Sequence, residues 1–511
     1  MIKRDDKEWG FYGRSTELSE IEEIIDSDRW FFCSISGRRR IGKTTLIQRA
    51  IKERLTSEAF PPVYFQIPDS DERGVVQSFQ DALEDYSVDR EDAAYLGHSF
   101  QHMARTIARM CSAGGIVVLD EFQYFHRQKL APFTSFLQAH VDRLRETDKG
   151  GLFVLGSIHT EMSAILENRN SPLFNRITDR IELGHWDFAT LFEMFGAHEI
   201  WDPEQRLFLW SLFEGVPKFY RDCHNEGVLR PHDNYRTETL KHLFFEGSSP
   251  LRDEATNWFL RELRGSYDSV LKLLAKQGTC TYGELMDDYA RAGSGGEKPL
   301  SAYLNALTDK YDMVEKRLPI FAGPRARKGR YEIADNFLNA WLKALDRAIQ
   351  LARIRPVDLA VDQADARLKE HEGFMFEKMV RQLSEECSRK NVGDFALTSH
   401  LKGYWNKADG SDIEIDLVAL NEESKTVRFG SCKRNAAKHN KDSLDKFGDH
   451  IEKFLKTKDG RRLAGWKSEK ALYSPVFSQA HRGALEKQGY ICRDLNDFAA
   501  FLGRPPPKLF D

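Results

Sequence analysis

None of the seven cysteines in these 511 residues forms a C-x-x-C pair, and seven is an odd number. A disulfide framework and a tetrahedral zinc site both need grouped cysteines, so neither is expected. No apolar stretch approaches the ~20 residues that cross a bilayer, and six of the first eight residues are charged where a signal peptide would be apolar. No membrane partner is expected, and the cytoplasm is the expected compartment. Strong charge of one sign is also missing, since 75 Lys+Arg stand against 79 Asp+Glu for a net −4. That small balance hides an asymmetry. From Ala366 onward 27 basic residues face 22 acidic ones, and between Lys433 and Lys470 the count is 12 to 6. A basic end on an acidic body suits nucleic acid, and it equally suits a solvated lysine-rich surface.

What is present begins with length. A chain of 511 residues, 41% apolar and 30% charged, holds three or four soluble domains at about 100–150 residues each. The run Gly37-Arg38-Arg39-Arg40-Ile41-Gly42-Lys43-Thr44-Thr45 fits G-x-x-x-x-G-K-[ST]. Before it, Trp30–Ser36 is apolar and β-prone. After it, Leu46, Ile47, Ala50, Ile51 and Leu55 recur at helical spacing. Strand, glycine loop and helix are the order that phosphate binding requires. Backbone N–H groups curl around the phosphates, and the helix points its positive end at them. Lys43 would reach the β- and γ-phosphates, with the Thr44 hydroxyl on Mg²⁺. A nucleoside triphosphate, ATP with Mg²⁺, is the expected cofactor.

A second run, Gly114–Glu121, is a short apolar strand ending in two acids, as a buried parallel strand reads. Asp120 would hold Mg²⁺ and Glu121 would polarise the attacking water. A third strand, Gly151–Leu155, leads to Gly156-Ser157. Ser157 either senses the γ-phosphate or caps a helix starting near Ile158. Arg176 and Arg180 precede the next apolar strand, and each is either an arginine finger or a surface charge.

In that order the chain shows Phe11-Tyr-Gly-Arg14-Ser-Thr-Glu17-Leu18, GRRRIGKTT, the strand with Asp120-Glu121, Gly156-Ser157, Ser171–Arg176 and Glu214-Gly-Val-Pro217-Lys-Phe-Tyr220. Over about residues 8–350 this resembles the archaeal-type ATPases, a branch of the AAA+/STAND P-loop proteins. The resemblance implies that the Phe-x-Gly-Arg box and the Gly-x-Pro segment flank the adenine, which by position means Phe11, Tyr12, Arg14 and Pro217. The family often has a second glycine where Glu214 stands. AAA+ relatives commonly assemble, so a homo-oligomer is an open expectation.

From Ser266 the pattern changes. Amphipathic segments at Tyr267–Ala275, Thr281–Met286 and Lys298–Lys310 precede two β-prone runs, Met313–Leu318 and Arg330–Ile333. Three helices and a hairpin are the order of a winged helix-turn-helix. Between its ends the hairpin carries Lys316, Arg317, Arg325, Arg327, Lys328 and Arg330 with no acid, and such a wing is expected to lie along a phosphate backbone. Docking of a protein is the alternative.

The last third reads as an amphipathic helix at Gly373–Leu383, then Ser411–Leu420, in which alternation puts Ile413, Ile415 and Leu417 on one face and Glu414 and Asp416 on the other. A turn follows, then Thr426–Lys433. Helix acid, strand acid, hairpin and x-x-Lys are the order of the PD-(D/E)xK nucleases, a fold that the C-terminal domain of the archaeal-type ATPases commonly resembles. By position Glu377 is the helix acid, Asp416 the metal-binding acid and Lys433 the lysine. Ser431 stands where a second acid is expected, and a hydroxyl is a poor Mg²⁺ ligand. Glu414 is the residue placed to compensate. Lys438, Lys441, Lys446 and Lys453 would track a nucleic-acid backbone.

The expected fold is α/β: a P-loop AAA+-like core over 1–195, a helical lid over 196–265, a winged helix-turn-helix over 266–345, a helical linker over 346–365 and a restriction-endonuclease-like domain over 366–511. The expected function is an ATPase coupled to nucleic acid, most simply DNA, with a metal-dependent nuclease domain. The alternative is a regulatory switch with a degenerate, non-cleaving nuclease fold. The tail Arg504–Asp511 reads as extended.

Overall fold

Two compact units make up the chain in a computed structural model, Gly13–His185 and Met1–Tyr12 with Trp186–Asp511. The structure describes residues 8–27, 29–52, 62–85, 99–146, 149–157, 159–246, 251–254, 266–293, 297–323, 326, 328–407 and 412–503. Leu55, the helix start near Ile158, Arg325, Arg327, Ser411 and the tail 504–511 lie outside these residues.

The smaller unit is built on five parallel strands: β1 (Phe31–Gly37), β2 (Val63–Gln66), β3 (Ile116–Asp120), β4 (Gly151–Gly156) and β5 (Asp179–Leu183), in the spatial order β2-β3-β4-β1-β5. Parallel strands are covered on both faces, which is why β1, β3 and β4 are apolar without a break. Successive side chains serve opposite cores. Phe32, Val117, Leu119, Leu152 and Val154 pack with the helices Glu72–Asp85, Phe100–Ser112 and Pro132–Leu144. Phe31, Cys33, Ile35, Val118, Phe153 and Leu155 pack with the helices Ser15–Asp26 and Lys43–Ile51. In the latter helix Leu46, Ile47, Ala50 and Ile51 are buried, as the spacing predicts. Because β4 lies between β1 and β3, three loops meet side by side at the carboxyl end of the sheet.

The larger unit contains two sheets. Strands β6 (Thr279–Thr281), β7 (Val314–Arg317) and β8 (Arg330–Ile333) form an antiparallel sheet in the order β6-β8-β7. The helices Ser266–Gln277, Tyr282–Arg291 and Glu297–Asn305 precede its hairpin. Thr281 starts the second of them with a capping box to Glu284. The other sheet is mixed, in the order β13-β12-β11-β10-β9, from β9 (Lys402–Trp405), β10 (Glu414–Asn421), β11 (Thr426–Cys432), β12 (Lys467–Tyr473) and β13 (Ile491–Arg493). Pairs β9–β10 and β10–β11 are antiparallel, and β11–β12 and β12–β13 are parallel.

One expectation about β10 needs correcting. The pairing with β9 shifts register between Ile415 and Val418. Ile413, Ile415 and Val418 therefore share one core with the helix Lys441–Lys456, whereas Leu417 and Ala419 join the core on the opposite face. An extra residue in one strand of an antiparallel pair bends it and re-aims its side chains. Leu417 thus does not share a face with Ile413 and Ile415.

A 33-residue helix, Val357–Arg389, ties this unit together and runs unbroken from the expected linker into the last sheet domain. Its apolar residues Ala360, Val361, Ala364, Leu368, Phe376, Met379, Val380 and Leu383 belong to one continuous core. That core also holds Phe188–Phe195, the helix Pro203–Phe213, Leu271, Phe337, Trp341, Leu417 and Tyr473. Its charges are equally committed. Fully buried Glu372 accepts from Arg236 Nη1 at 2.5 Å and from Arg434 Nε at 3.0 Å. Glu386 accepts from the backbone N–H of Phe188 at 2.6 Å and of Ala189 at 3.0 Å, so it satisfies two donors in the first turn of the helix Phe188–Ala197.

Removing one partner of a buried ion pair leaves an uncompensated charge, a loss of about 3–5 kcal/mol. Arg236 keeps Asp365 and Arg434 keeps Glu204 as second partners, so Glu372→Ala is expected to destabilise the protein by less than that, about 1–3 kcal/mol. Urea unfolding followed by tryptophan fluorescence checks it, and an unchanged midpoint would exclude a structural role for this triad.

Candidate functional site

The loop after β1 is shaped by backbone conformations that glycine tolerates best. Gly37 (φ +149°) has the Leu183 carbonyl where a Cβ would sit, 2.5 Å away, and Gly42 has φ +95°. Arg40, at φ +68°, is a non-glycine residue in the left-handed region. The helix Lys43–Ile51 starts at Gly42 with no side-chain cap, so its first amides point out of the helix end, the arrangement that binds phosphate. Lys43 is buried, and its ammonium donates to the carbonyls of Gly37 at 2.9 Å and Arg38 at 3.0 Å. Burial pulls Lys43 down to about 8, against the opposing attraction of Asp120 and Glu121.

Asp120 ends β3 as the meeting point of three donors. Thr44 Oγ1 and Tyr64 Oη each donate to its Oδ2 at 2.6 Å, and the Glu121 N–H donates to Oδ1 at 2.8 Å. A hydroxyl and a carboxylate in contact are hard oxygen donors, which fit Mg²⁺. Burial first, and then Asp120, push the Tyr64 phenol upward, so it stays a donor. Glu121 turns the chain at φ +57°. Its carboxylate accepts from Gln123 Nε2, while Gln123 Oε1 accepts from the Ser157 N–H at 3.3 Å. Gln123 is 2% exposed and thereby links the acid after β3 to the serine after β4. Gly156 makes room for this bridge, because a Cβ there would meet Met162 Sδ at 2.2 Å and Gln123 Oε1 at 3.0 Å.

The other expected nucleotide residues have definite places. Arg14 Nη2 donates to the carbonyls of Gly184 at 2.5 Å and Ile41 at 3.4 Å, and Nη1 donates to Glu17 at 2.8 Å. It therefore braces the phosphate loop from outside. Arg38 lies 3.3 Å from His185 Nε2, while Arg39 and Thr45 are exposed. Arg176 forms a two-bond fork with Asp142 (2.8 and 2.9 Å), and Arg180 pairs with Glu167. Neither arginine is free within its own unit. Phe11, Tyr12 and Pro217 belong to the larger unit. Phe11 is exposed, Tyr12 Oη is 3.2 Å from His198 Nε2, and Pro217 opens the helix Pro217–Asn225. Glu214 adopts φ +49°, ψ −128°, a backbone conformation that glycine tolerates best, and its carboxylate pairs with Lys378 at 2.9 Å.

A second cluster forms where β10 begins and β11 ends. Asp416 Oδ2 accepts from the Cys432 N–H at 2.8 Å and from Ser431 Oγ at 3.5 Å, and Lys433 Nζ lies 3.8 Å away. Burial, followed by the charge of Glu377, pushes Asp416 up to about 6. The structure thus brings Glu377, Asp416, Ser431 and Lys433 together. It also adds two residues that the sequence reading assigned elsewhere: Arg317 Nη2 donates to Glu377 at 2.8 Å, and Arg330 Nη1 donates to Glu414 at 2.7 Å. Each of these carboxylates thus has one oxygen engaged by a neighbouring donor, Oε1 of Glu377, Oε1 of Glu414 and Oδ2 of Asp416. Among the described residues no group of three or more His, Cys, Asp or Glu is arranged to hold a metal ion. Lys438, Lys441, Lys446 and Lys453 are exposed, and Lys453 pairs with Asp449 at 2.8 Å. Among the described residues no helix is long and apolar enough to cross a membrane.

Residues 11–218 match the family described as an ATPase domain predominantly from Archaea, and residues 341–444 match archaeal and bacterial proteins of unknown function. The chain accordingly carries an ATPase domain of that predominantly archaeal family and is an ATPase. It is 26% identical over 429 residues to an uncharacterized protein of Methanocaldococcus jannaschii, covering 83% of this chain and 87% of that one. Among solved structures it is similar to a Walker-type ATPase of Pyrococcus abyssi, at a TM-score of 0.49 and 16% identity over 65% of this chain and 96% of that one. It is similar also to the ORC2 protein of Aeropyrum pernix in its ADPNP–ADP complexes, at 0.47 and 16% over 71% and 98%.

Two outcomes are expected from this geometry. Phosphate favours the protonated Lys43, so ATP affinity should be flat below pH 8 and fall by up to about tenfold per unit above it as the proton is lost. Calorimetric titration checks this, with Lys43→Met showing no such slope. Gln123→Ala should lower kcat by about 10- to 100-fold at near-constant ATP affinity, the size of a lost water-positioning group. A matching loss of affinity would refute that role.

Proposed function

We propose that this ATPase acts on nucleic acid, with the lid, winged helix-turn-helix and PD-(D/E)xK-like domain divided as the sequence suggests. In the smaller unit the loop amides and Lys43 bind the triphosphate, and Thr44 and Asp120 hold Mg²⁺, which neutralises phosphate charge when bound. Glu121, oriented by Gln123, takes the attacking water, and Ser157 faces the γ-phosphate. Phe11, Tyr12 and Pro217 are assigned to the adenine. Arg14 is reassigned to bracing the loop, because its guanidinium already spans two carbonyls of its own unit.

The nucleic-acid reading is carried by one observation: Glu377, Asp416 and Lys433, from a helix, a strand end and a loop, surround one point. Exposed Lys438, Lys441 and Lys446, which follow Lys433 in the chain, supply backbone contacts that carry no sequence preference. A second reading, a switch whose last domain does not cleave, is favoured by the arginine-bound state of Glu377 and Glu414. The two readings part on DNA.

Single-stranded, duplex and branched DNA, incubated with Mg²⁺ or Mn²⁺ with and without ATP, should be cleaved by the wild type. Cleavage should be lost in Asp416→Ala, with ATP hydrolysis retained. Lys43→Ala should lose ATP hydrolysis. DNA-stimulated ATP hydrolysis without cleavage would leave a motor or loader with a degenerate last domain, and indifference of both activities to DNA would sink the nucleic-acid proposal and select the switch reading.

A further inference from the structure

The β7–β8 hairpin carries six basic residues and no acid between Lys316 and Arg330, yet its described arginines do not point to solvent. Arg317 sits between Glu377 (2.8 Å) and Glu332 (3.4 Å) and is 14% exposed. Arg330 bonds Glu414, and its guanidinium lies 4.5 Å above the Trp405 ring. Trp405 Nε1 in turn donates to the Lys328 carbonyl at 2.8 Å, and the Ile320 N–H donates to the Gly403 carbonyl at 2.8 Å. The hairpin is thereby fastened along β9 and across the start of β10. It walls a cavity of about 260 Å³ whose lining includes Glu377, Glu414, Asp416, Asn339 and His371.

The charges of this arrangement close on themselves. Glu377 has Arg317, Glu414 has Arg330 and Asp416 has Lys433. A divalent cation needs carboxylate oxygens within about 2.0–2.6 Å, in orientations that guanidinium N–H groups occupy here. Bringing both cations to the same acids at once would set like charges within a few ångströms of each other, in a partly buried place where screening is weak. Cation and hairpin therefore compete for the same oxygens. An accident of surface pairing is a poor explanation, because two arginines on adjacent strands, opposite each other in register, meet two separate acids of one cluster.

We infer that the β7–β8 hairpin is a plug. Arg317 and Arg330 occupy the carboxylates that a divalent cation requires, so the cluster binds cation only when the hairpin leaves it. The plug rests on the nuclease-like reading of Glu377 and Asp416. It adds to that reading a closed state and the residues that enforce it. The coupling is reciprocal: whatever lifts the hairpin raises cation affinity, and bound cation loosens the hairpin by the same factor.

The test uses the full-length protein and Mn²⁺ alone, with Asp416→Asn as the reference that isolates this site from the phosphate-loop unit. The Arg317→Gln/Arg330→Gln protein should bind Mn²⁺ at the Asp416-dependent site at least about tenfold more tightly than wild type. In unaltered protein, Mn²⁺ should speed amide hydrogen exchange in the β7–β8 strands. Should the double variant fold poorly, Arg330→Gln alone, whose partner Glu414 is half exposed, carries the same sign of effect. Equal Asp416-dependent affinity in variant and wild type, or Mn²⁺ binding that slows hairpin exchange, would overturn the plug and leave the carboxylate site standing. Absence of Asp416-dependent Mn²⁺ binding in every protein would overturn the plug together with the metal-dependent reading.

Discussion

Buried and half-buried carboxylates on one helix organise the larger unit. Glu372, Glu377 and Glu386 leave the same rod, Val357–Arg389, and each is neutralised or hydrogen-bonded by a different part of the chain. A carboxylate out of water is costly unless it is paired. This helix therefore cannot be buried until Arg236, Arg317, Arg434 and the start of the helix Phe188–Ala197 are in place. Lys378 extends the rule in the opposite sign, with Glu214, Asn336 and the Ala334 carbonyl as its partners. Apolar contacts supply the driving force, but these pairs decide which segment goes where.

The smaller unit relies on a different constraint, the insertion of β4 between β1 and β3. With that order the polar ends of three adjacent strands present Lys43 and Thr44, then Ser157, then Asp120 and Glu121. No long side chain is needed to bridge them, and Gln123 spans the gap between the last two groups. Tyr64 arrives from the next strand outward and completes the shell of Asp120.

How much of this was legible follows the separation of the partners in the chain. Gly37–Thr45 and Asp120–Glu121 could be read because their chemistry is contiguous and each lies at the end of an apolar strand. Tyr64 was not, since a tyrosine in a β-prone run carries no mark of the acid it will meet. Gln123 left a faint mark, the one polar residue inside Phe122–Phe125. Arg317 and Glu377 are 60 positions apart, and Arg330 and Glu414 are 84. From sequence an acid-free hairpin reads as free charge, because its counter-charges lie in another sheet. The register shift in β10 was hidden for a related reason. Ile-Glu-Ile-Asp-Leu alternates without a fault, and the irregularity exists only relative to β9.

The length of Val357–Arg389 has a mechanical meaning. At about 1.5 Å per residue, 33 residues make a strut of about 50 Å. Helices of this kind bend gently rather than fold, so a tilt of a few degrees at the Glu386 end sweeps the opposite end through several ångströms. Glu377 sits about 14 Å along the strut from Glu386, near the fulcrum, where the same tilt moves it by about 1 Å. A displacement of that size is enough to part a guanidinium from a carboxylate and too small to disturb the packing around it. Held at Glu386 by the amides of Phe188 and Ala189, the strut would turn a broad sweep of its Val357 end into a fine displacement at the carboxylate cluster.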